Sequence, residues 1–450
     1  MSELSLDVRL DGYGDPIGTL SRSNDGGLKF QYQAHYSKLD TALPLSLSLP
    51  LTDEPYGDVL TRAFFDNLLQ ERDGPLQNLM AREGIARDDV AGLLFHLGKD
   101  CAGAISVLPT GASATRVPGN FNEDYDVVSE EKIAEIVKSL HERNIFPAGT
   151  EDPSPLAGVQ NKFALTLLPD GRYGWPKPGS GAPTTHIVKV PKRNHVMDAK
   201  LEDTTLRLSR ALGQETTRAE TRIVGGIEIL LVWRFDRLIN NKGLIARIHQ
   251  EDFAQALGLP HELKYERRGT VQRRFDAQAI NWVLSETSEP AISRARFISA
   301  TVFDIITGNA DAHAKNHALI YDRSKRPRLA PRYDLIPTTL NPSYTDEMAF
   351  KIGAAERSNV MTALDFDEFL KVLGVSTAGG RKRIASERFS AAAHQLAPLL
   401  EEIAGHGMKL FADLIAANMR QLLPVLGLPV PESAQNRDAF IHRGGGWLPS

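Results

Sequence analysis

The strongest constraint on this chain is the way its hydrophobic period is distributed: strand-like segments crowd the first half and helical ones the second. Residues 4–50 read as short strands broken by turn signals at Asp11-Gly12, Gly14-Asp15-Pro16 and Asn24-Asp25-Gly26-Gly27, which predicts a small antiparallel sheet. From Thr61 to Leu97 the apolar residues move to helical spacing (Phe64, Phe65, Leu68, Leu69, then Leu76, Leu79, Met80, then Val90, Leu93, Leu94), with Asp73-Gly74-Pro75 as a break. The Gly-, Pro- and Ser-rich stretch from Pro109 to Asn122 reads as a linker. Beyond it, Ser129 is placed to cap a helix whose first turn carries Glu130 and Glu131. Phe163–Leu168 and Thr185–Val190 read as a β-meander, a helix follows at about 199–212 and stops at Gly213, and Ile227–Phe235 is a further strand. From residue 251 helical patterns dominate, interrupted at 303–352. Strands first and helices second predict an α+β protein of two lobes with a cleft between them.

With 450 residues, 42% of them hydrophobic and 24% charged, the chain has material for two or three compact units. Its 52 basic and 56 acidic residues, net −4, argue against a protein that coats nucleic acid by bulk charge. Cys101 is the single cysteine, so neither an intrachain disulfide nor a cysteine-based metal cage can form, which fits a reducing cytoplasm. The first residues alternate polar and apolar and lack a basic segment followed by an apolar one, so no export signal is readable. No apolar run approaches the ~20 residues of a membrane span. The expectation is a cytoplasmic protein without membrane contact.

Chemistry concentrates in Gly308-Asn309-Ala310-Asp311-Ala312-His313-Ala314-Lys315-Asn316 and, after a short basic loop, Tyr333-Asp334-Leu335. An Asp followed five residues later by an Asn, with a second Asp a hairpin further on, is the polar skeleton of a phosphoryl-transfer site. Such a site needs a carboxylate beside the attacking hydroxyl, oxygen ligands for Mg²⁺ and cations on the phosphates. Asp311, in a loop after the helix end at Gly308, suits the first role; Asn316 and Asp334 suit the second; Lys315 can steady the transferring phosphate. Lys189, on the apolar strand His-Ile-Val-Lys-Val, shares a face with Ile187, where an anionic phosphate is a sensible partner; an edge-strand lysine in water accounts for it equally. Glu202, in the next helix, stands where an orienting carboxylate is expected, although a solvated helix face explains it nearly as well. The stretch from Ser154 through Lys162 precedes a strand and can cover phosphates with backbone N–H groups. No Walker A, Gly-x-Gly-x-x-Gly or Gly-x-Ser-x-Gly pattern occurs. His313 and His317 lack the glutamate of a zinc-hydrolase motif. His186, His195 and His249 read as structural.

Taken together, Ala63-Phe-Phe-Asp-Asn-Leu-Leu, Gly98-Lys-Asp-Cys-Ala-Gly-Ala, Leu156-Ala-Gly-Val-Gln-Asn-Lys, Thr185-His-Ile-Val-Lys, Arg234-Phe-Asp-Arg, His249-Gln-Glu-Asp-Phe-Ala-Gln-Ala-Leu-Gly, the two stretches above and Lys351-Ile-Gly resemble the HipA family of toxin serine/threonine kinases. The resemblance implies a two-lobed, protein-kinase-like fold: an N-terminal β/α subdomain at 1–110, the rest of a β-rich N-lobe at 125–235 and a mostly helical C-lobe at 236–440. It implies ATP and Mg²⁺ as cofactors, Asp311 as catalytic base, and Asn316 and Asp334 as metal ligands. ATP contacts are implied for Ala157, Gly158, Val159, Gln160, Asn161, Lys162, Lys189, His313, Lys315 and Tyr333, with Trp233, Arg234 and Phe235 as the adenine hinge. The implied substrate is a serine of an aminoacyl-tRNA synthetase, glutamyl-tRNA synthetase foremost. The implied partners are a HipB-like helix-turn-helix antitoxin and, through it, operator DNA, with Arg381, Lys382 and Arg383 as a DNA-contact candidate beside the plainer reading of a solvated basic turn. Family members autophosphorylate a serine directly before the Leu156-Ala-Gly equivalent; here Pro155 holds that place, so either Ser154, one residue earlier, takes the role in a shifted geometry or self-inactivation differs. Trp233 replaces an acid usual in the hinge. A second reading is a catalytically weak pseudokinase acting mainly as an antitoxin-binding corepressor, and a small-molecule kinase of the same fold is a third.

Overall fold

A computed structural model describes residues 3–71, 73–113, 119–147, 150, 161–178, 180–322 and 324–440. Two compact units emerge, neither of them one continuous stretch: Met1–Lys200 with Thr217–His261 and Ala318–Ala330, and Leu201–Thr216 with Glu262–His317 and Pro331–Ser450.

In the first unit, β1 (Leu4–Leu10), β2 (Gly18–Arg22) and β3 (Leu28–Tyr32) form the predicted antiparallel sheet, and β4 (Ile105–Pro109) adds to β1 to give the order β3-β2-β1-β4. Strict alternation in β3 turns Leu28, Phe30 and Tyr32 inward and leaves Lys29 and Gln31 outside. After the short α1 (Ala34–Ser37), the helices α2 (Asp58–Asp66), α3 (Asp73–Glu83) and α4 (Val90–Leu97) follow, and Phe64, Phe65, Leu93 and Leu94 close one core with Leu6, Val8, Leu20 and Phe30. Asp73 opens α3, so the Asp-Gly-Pro stretch begins a helix and does not merely interrupt one; proline is tolerated in a first turn, where its missing N–H has no intrahelical partner to lose.

A six-stranded antiparallel sheet carries the rest of this unit. Besides β5 (Gly119–Asn120), it follows on β6 (Tyr125–Val128), β7 (Lys162–Leu167), β8 (Tyr173–Pro176), β9 (His186–Lys189), β10 (Ala219–Val224) and β11 (Ile227–Trp233), ordered β10-β11-β9-β7-β8-β6. α5 (Glu130–Arg143) lays Ile133, Ile136, Val137 and Leu140 on Phe163, Leu165, Val188, Ile229 and Leu231. Its start is the predicted cap: Ser129 Oγ accepts from the Lys132 N–H at 3.2 Å. β12 (Arg237–Ile239) pairs with β13 (Leu244–Arg247), and β14 (Gln250–Asp252), leading into α7 (Phe253–Ala256), pairs with β15 (Ala318–Ile320), which pairs with β16 (Arg328–Leu329). Between β9 and β10, α6 (Asp198–Ala211) ends as expected, with Gly213 at φ 73°.

Two of the quoted stretches meet in a buried ion cluster of this unit. Asp100, fully buried, is 3.1 Å from Arg237, 3.5 Å from Arg247 and 3.7 Å from Arg234. Asp236 lies 3.1 Å from Arg234 and 2.9 Å from Arg237, and Asp11 lies 2.6 Å from Arg247. Burial, followed by the neighbouring Arg234 charge, lowers Arg237 to about 10.

The second unit is helical, with α8 (Ala277–Ser285), α9 (Pro290–Thr307), α10 (Ala363–Val372), α11 (Ala378–Leu396), α12 (Leu400–Ile403) and α13 (Lys409–Val425). A hairpin of β17 (Glu347–Ile352) and β18 (Ala355–Arg357) brings Phe350 against Phe275, Phe297 and Phe369, with centroids 5.6–6.1 Å apart. No helix among the described residues is long and apolar enough to cross a membrane.

Candidate active site

The helix α9 stops at Gly308, whose φ of 77° is left-handed. A Cβ there would lie 2.3 Å from Thr339 Oγ1 and 2.7 Å from Leu414 Cδ2. Both conditions demand glycine. A Gly308→Ala variant is expected to lose about 2–4 kcal/mol, read as a lower urea midpoint at unchanged slope; a midpoint equal to the wild type would refute the requirement.

Past Gly308 the chain is held by side chains. Asn309 donates to Asp304 Oδ1 at 3.0 Å and accepts the Asp311 N–H at 3.2 Å, while Arg332 donates to the same Asp304 oxygen at 2.5 Å. The Ala310 N–H donates to Thr338 Oγ1 at 3.0 Å. The Asp311 carbonyl accepts from the His313 N–H at 2.8 Å and from Asn316 Nδ2 at 2.7 Å. Asn316 therefore spends its amide nitrogen on the loop, and its oxygen is the end suited to a hard cation.

The Asp311 side chain is half-buried, and desolvation pushes its carboxyl up to about 6. The hydrogen bond from Tyr265 Oη to Oδ1, 2.5 Å long, acts against this; the Asp334 charge adds to the rise, and Lys264 and Arg267 oppose it. A carboxylate so poised accepts a proton near neutral pH. Asp334 has φ 58°, a left-handed backbone that costs a non-glycine residue on the order of 1 kcal/mol. Two acids close enough to repel, with an amide oxygen nearby, form an oxygen-donor set that fits Mg²⁺. Among the described residues no group of three or more His, Cys, Asp or Glu could hold a metal, so any site here depends on Asn316 as well.

Around this core, Tyr333 Oη donates to the Lys315 carbonyl at 2.7 Å, and Lys315 is buried. His313 is buried edge-on to Tyr265, centroids 5.1 Å apart, and burial, then Lys264, holds it well below the usual imidazole range. It is neutral, with Nδ1 left without a hydrogen-bond partner. His317 instead bonds the Ala312 carbonyl at 3.1 Å and packs on Phe297, so the two histidines share no ligand position. Glu202 is 2% exposed, which removes the solvated-face reading.

In the first unit, β9 lies between β11 and β7, so Lys189 is not an edge-strand lysine. Its register partner on β7 is Lys162, half-buried like itself. Asn161, expected at the nucleotide, is engaged elsewhere. Its amide nitrogen donates to the Leu140 carbonyl at 2.8 Å and to Asn144 Oδ1 at 2.7 Å, at the end of α5. Arg234, expected in the hinge, has its side chain in ion pairs and bonded to Thr184 at 3.0 Å, and its N–H donates to the Thr185 carbonyl. Trp233 uses its N–H on the Arg218 carbonyl and its carbonyl on Thr217, and carries the Arg218 guanidinium 4.2 Å from its ring centroid. Phe235 is half-buried just beyond β11. His186 is buried against Thr185, 2.7 Å away, and burial lowers it to about 3. Ser154, Pro155, Ala157, Gly158, Val159 and Gln160 lie outside the described residues.

Arg381 sits in the first turn of α11 and bonds Asp367 at 2.9 Å and the carbonyls of Val375 and Ser376. Lys382 and Arg383 are exposed. Sequence reading missed Lys264, Tyr265 and Arg267, which reach Asp311 from far along the chain and carry no spacing signal.

Comparison with known proteins now bears on this geometry. The HipA N-terminal domain matches residues 6–108 and the HipA-like C-terminal domain matches residues 154–400. The chain belongs to the HipA family. A Sinorhizobium fredii protein named "Putative kinase Y4mE" is 32% identical over 412 residues, 90% of this chain and 96% of that one. The "Serine/threonine-protein kinase toxin HipA" of Shewanella oneidensis is 28% identical over 357 residues, 76% of this chain and 78% of that protein. A solved structure of the Shewanella oneidensis HipA, HipB and operator DNA complex matches with a TM-score of 0.75 at 24% identity, covering 97% of this chain and all of that one. The fold is thus the kinase-like α+β fold of HipA, and the HipA relatives carry kinase names.

Proposed function

We propose that this HipA-family protein is an ATP- and Mg²⁺-dependent protein serine/threonine kinase acting as the toxin of a toxin–antitoxin pair. The observation that carries the reading is Asp311: a half-buried carboxylate brought to about 6, on a loop pinned to α9, with Asp334 close enough to raise it and Asn316 bonded to its own carbonyl. Asp311 takes the proton of the acceptor hydroxyl as that oxygen attacks the terminal phosphorus of ATP and ADP leaves. Lys315 supplies positive charge for the phosphates, and the family resemblance gives Lys189 and Lys162 the same role. Bound to Asp334 and Asn316, magnesium would supply charge neutralisation on those phosphates. Asp304, Asn309 and Arg332 keep the loop in one geometry, so less of it must be ordered when substrate arrives.

The relative named as a serine/threonine-protein kinase toxin supports the toxin role, and the likeness to a HipA solved with HipB and DNA supports a HipB-like antitoxin and operator DNA as partners. For the substrate, an aminoacyl-tRNA synthetase and glutamyl-tRNA synthetase foremost, the support is the family resemblance. Self-phosphorylation at Ser154 belongs to the same reading. The test is a phosphoproteome of cells making the wild type against cells making Asp334→Asn. One dominant synthetase phosphoserine, absent from the variant and accompanied by growth arrest only in the wild type, is the expected result. Identical phosphoproteomes would sink the kinase reading and favour the corepressor.

A further inference from the structure

Arg332 stands two residues before Asp334 and is tied to separate stretches of the second unit. One end of its guanidinium, Nη2, donates to Asp304 Oδ1 at 2.5 Å, the same oxygen that accepts from Asn309 Nδ2 at 3.0 Å. The other end, Nη1, donates to Gln214 Oε1 at 2.5 Å and lies 3.5 Å from Ser209 Oγ. Its backbone N–H donates to the Glu215 carbonyl at 2.8 Å. Gln214 is itself fixed at both ends of its amide. Oε1 also accepts from Ser209 Oγ, in the last turn of α6, at 2.8 Å, and Nε2 donates to the Ser299 carbonyl of α9 at 3.0 Å.

A single oxygen of Asp304 thus joins the loop of Asp311, whose N–H donates to Asn309, to the segment that carries Asp334. This inference rests on the kinase reading and deepens it: we propose that Arg332 and Gln214 are positioning residues, a clamp that sets Asp311 and Asp334 relative to each other and fixes both to the end of α6. A guanidinium is a planar fork that serves two acceptors in fixed directions at once. The position needs that rigidity, because Asp334 at φ 58° has a strained backbone, and such a backbone persists only where its surroundings over-determine it. The bonds of Arg332 provide this on the near side, and Tyr333 adds its own bond to the Lys315 carbonyl. Gln214 belongs to neither segment and acts through Arg332, which makes it the sharper test of the clamp.

Arg332→Lys keeps the charge and loses the fork. Gln214→Ala, at a half-buried residue of the turn after α6, removes the far jaw of the clamp and carries the test should Arg332→Lys fail to fold. Two readouts are compared with the wild type: amide hydrogen exchange in protein free of nucleotide and magnesium, and the magnesium dependence of phosphoryl transfer. The Asp311 amide is expected to exchange faster, about tenfold in Arg332→Lys and about threefold in Gln214→Ala, while the amides of α13 keep their wild-type rates. The kcat should fall by about the same factors and the half-saturating magnesium concentration should rise, with KM for the acceptor unchanged. Amides of α13 that quicken as much as that of Asp311 would show general loosening and overturn the proposal. An Asp311 amide that keeps its rate in both folded variants overturns it too, as does faster exchange with kcat and magnesium dependence unmoved. Faster Asp311 exchange in a protein whose wild type transfers phosphate to no hydroxyl leaves the clamp standing and sinks the kinase reading.

Discussion

Asp311→Asn is expected to lower kcat/KM for phosphoryl transfer by about 10²–10⁴-fold, with no loss of stability at pH 7. Both halves follow from one environment. A general base must lose its proton near the working pH, and burial has brought this carboxylate to about 6. The same burial makes the ionised form costly. The folded value exceeds the unfolded one, so the native state holds the proton more tightly and Asp311 favours folding most below the unfolded value near pH 4. That contribution is lost as pH rises from about 4 to about 6 and is flat above, on the order of 3 kcal/mol in all. An uncharged asparagine escapes the loss. Without magnesium, the stability of Asp311→Asn relative to wild type should therefore grow across pH 4 to 6. Activity within tenfold of wild type would remove Asp311 from the role of base, and a flat stability difference would show that its carboxylate is not desolvated in solution.

Asp100→Ala should be among the most damaging substitutions in the first unit, costing about 3–5 kcal/mol. The carboxylate is fully buried, and Arg237, Arg247 and Arg234 lie 3.1, 3.5 and 3.7 Å from it. Alanine leaves guanidinium groups facing one another with one fewer negative charge, and a guanidinium does not escape by deprotonating at physiological pH. Asp236 and Asp11 still compensate part of the charge, so Asp100→Asn, which keeps hydrogen-bonding capacity but not the charge, should fall between the two. Urea unfolding at pH 7 measures both; a loss below about 1 kcal/mol for the alanine variant would show the cluster to be dispensable.

Local signals were legible in the chain, and long-range ones were not. The turns between β1, β2 and β3, the Ser129 cap, and the glycine stops at Gly213 and Gly308 each depend on a few adjacent residues, and each is where the pattern placed it. Asp311 and Asn316 could be picked out because five residues of loop bring an amide back to the carbonyl of the aspartate. Nothing comparable announced Tyr265, whose bond to Asp311 crosses 46 residues, or the pairing of β4 with β1. The side-chain partners of Arg234 and Asn161 were hidden for the same reason. Their positions beside the expected nucleotide segments were right to read as polar, but their partners, Asp236 and Thr184 for one and Leu140 and Asn144 for the other, become visible only when the chain has folded.

The way the chain alternates between its two units bears on how the protein is made. A ribosome that has completed the loop from Gly308 to Asn316 has not yet supplied β15, the strand that β14 pairs with, and Ala318–Ala330 must still emerge before the first unit is whole. Asp334 and the threonines that fasten Gly308 and Ala310 come later again, and Leu414, packed on Gly308, later still. The contacts that hold the Gly308–Ala310 loop are therefore completed from sequence that follows it by as much as a hundred residues.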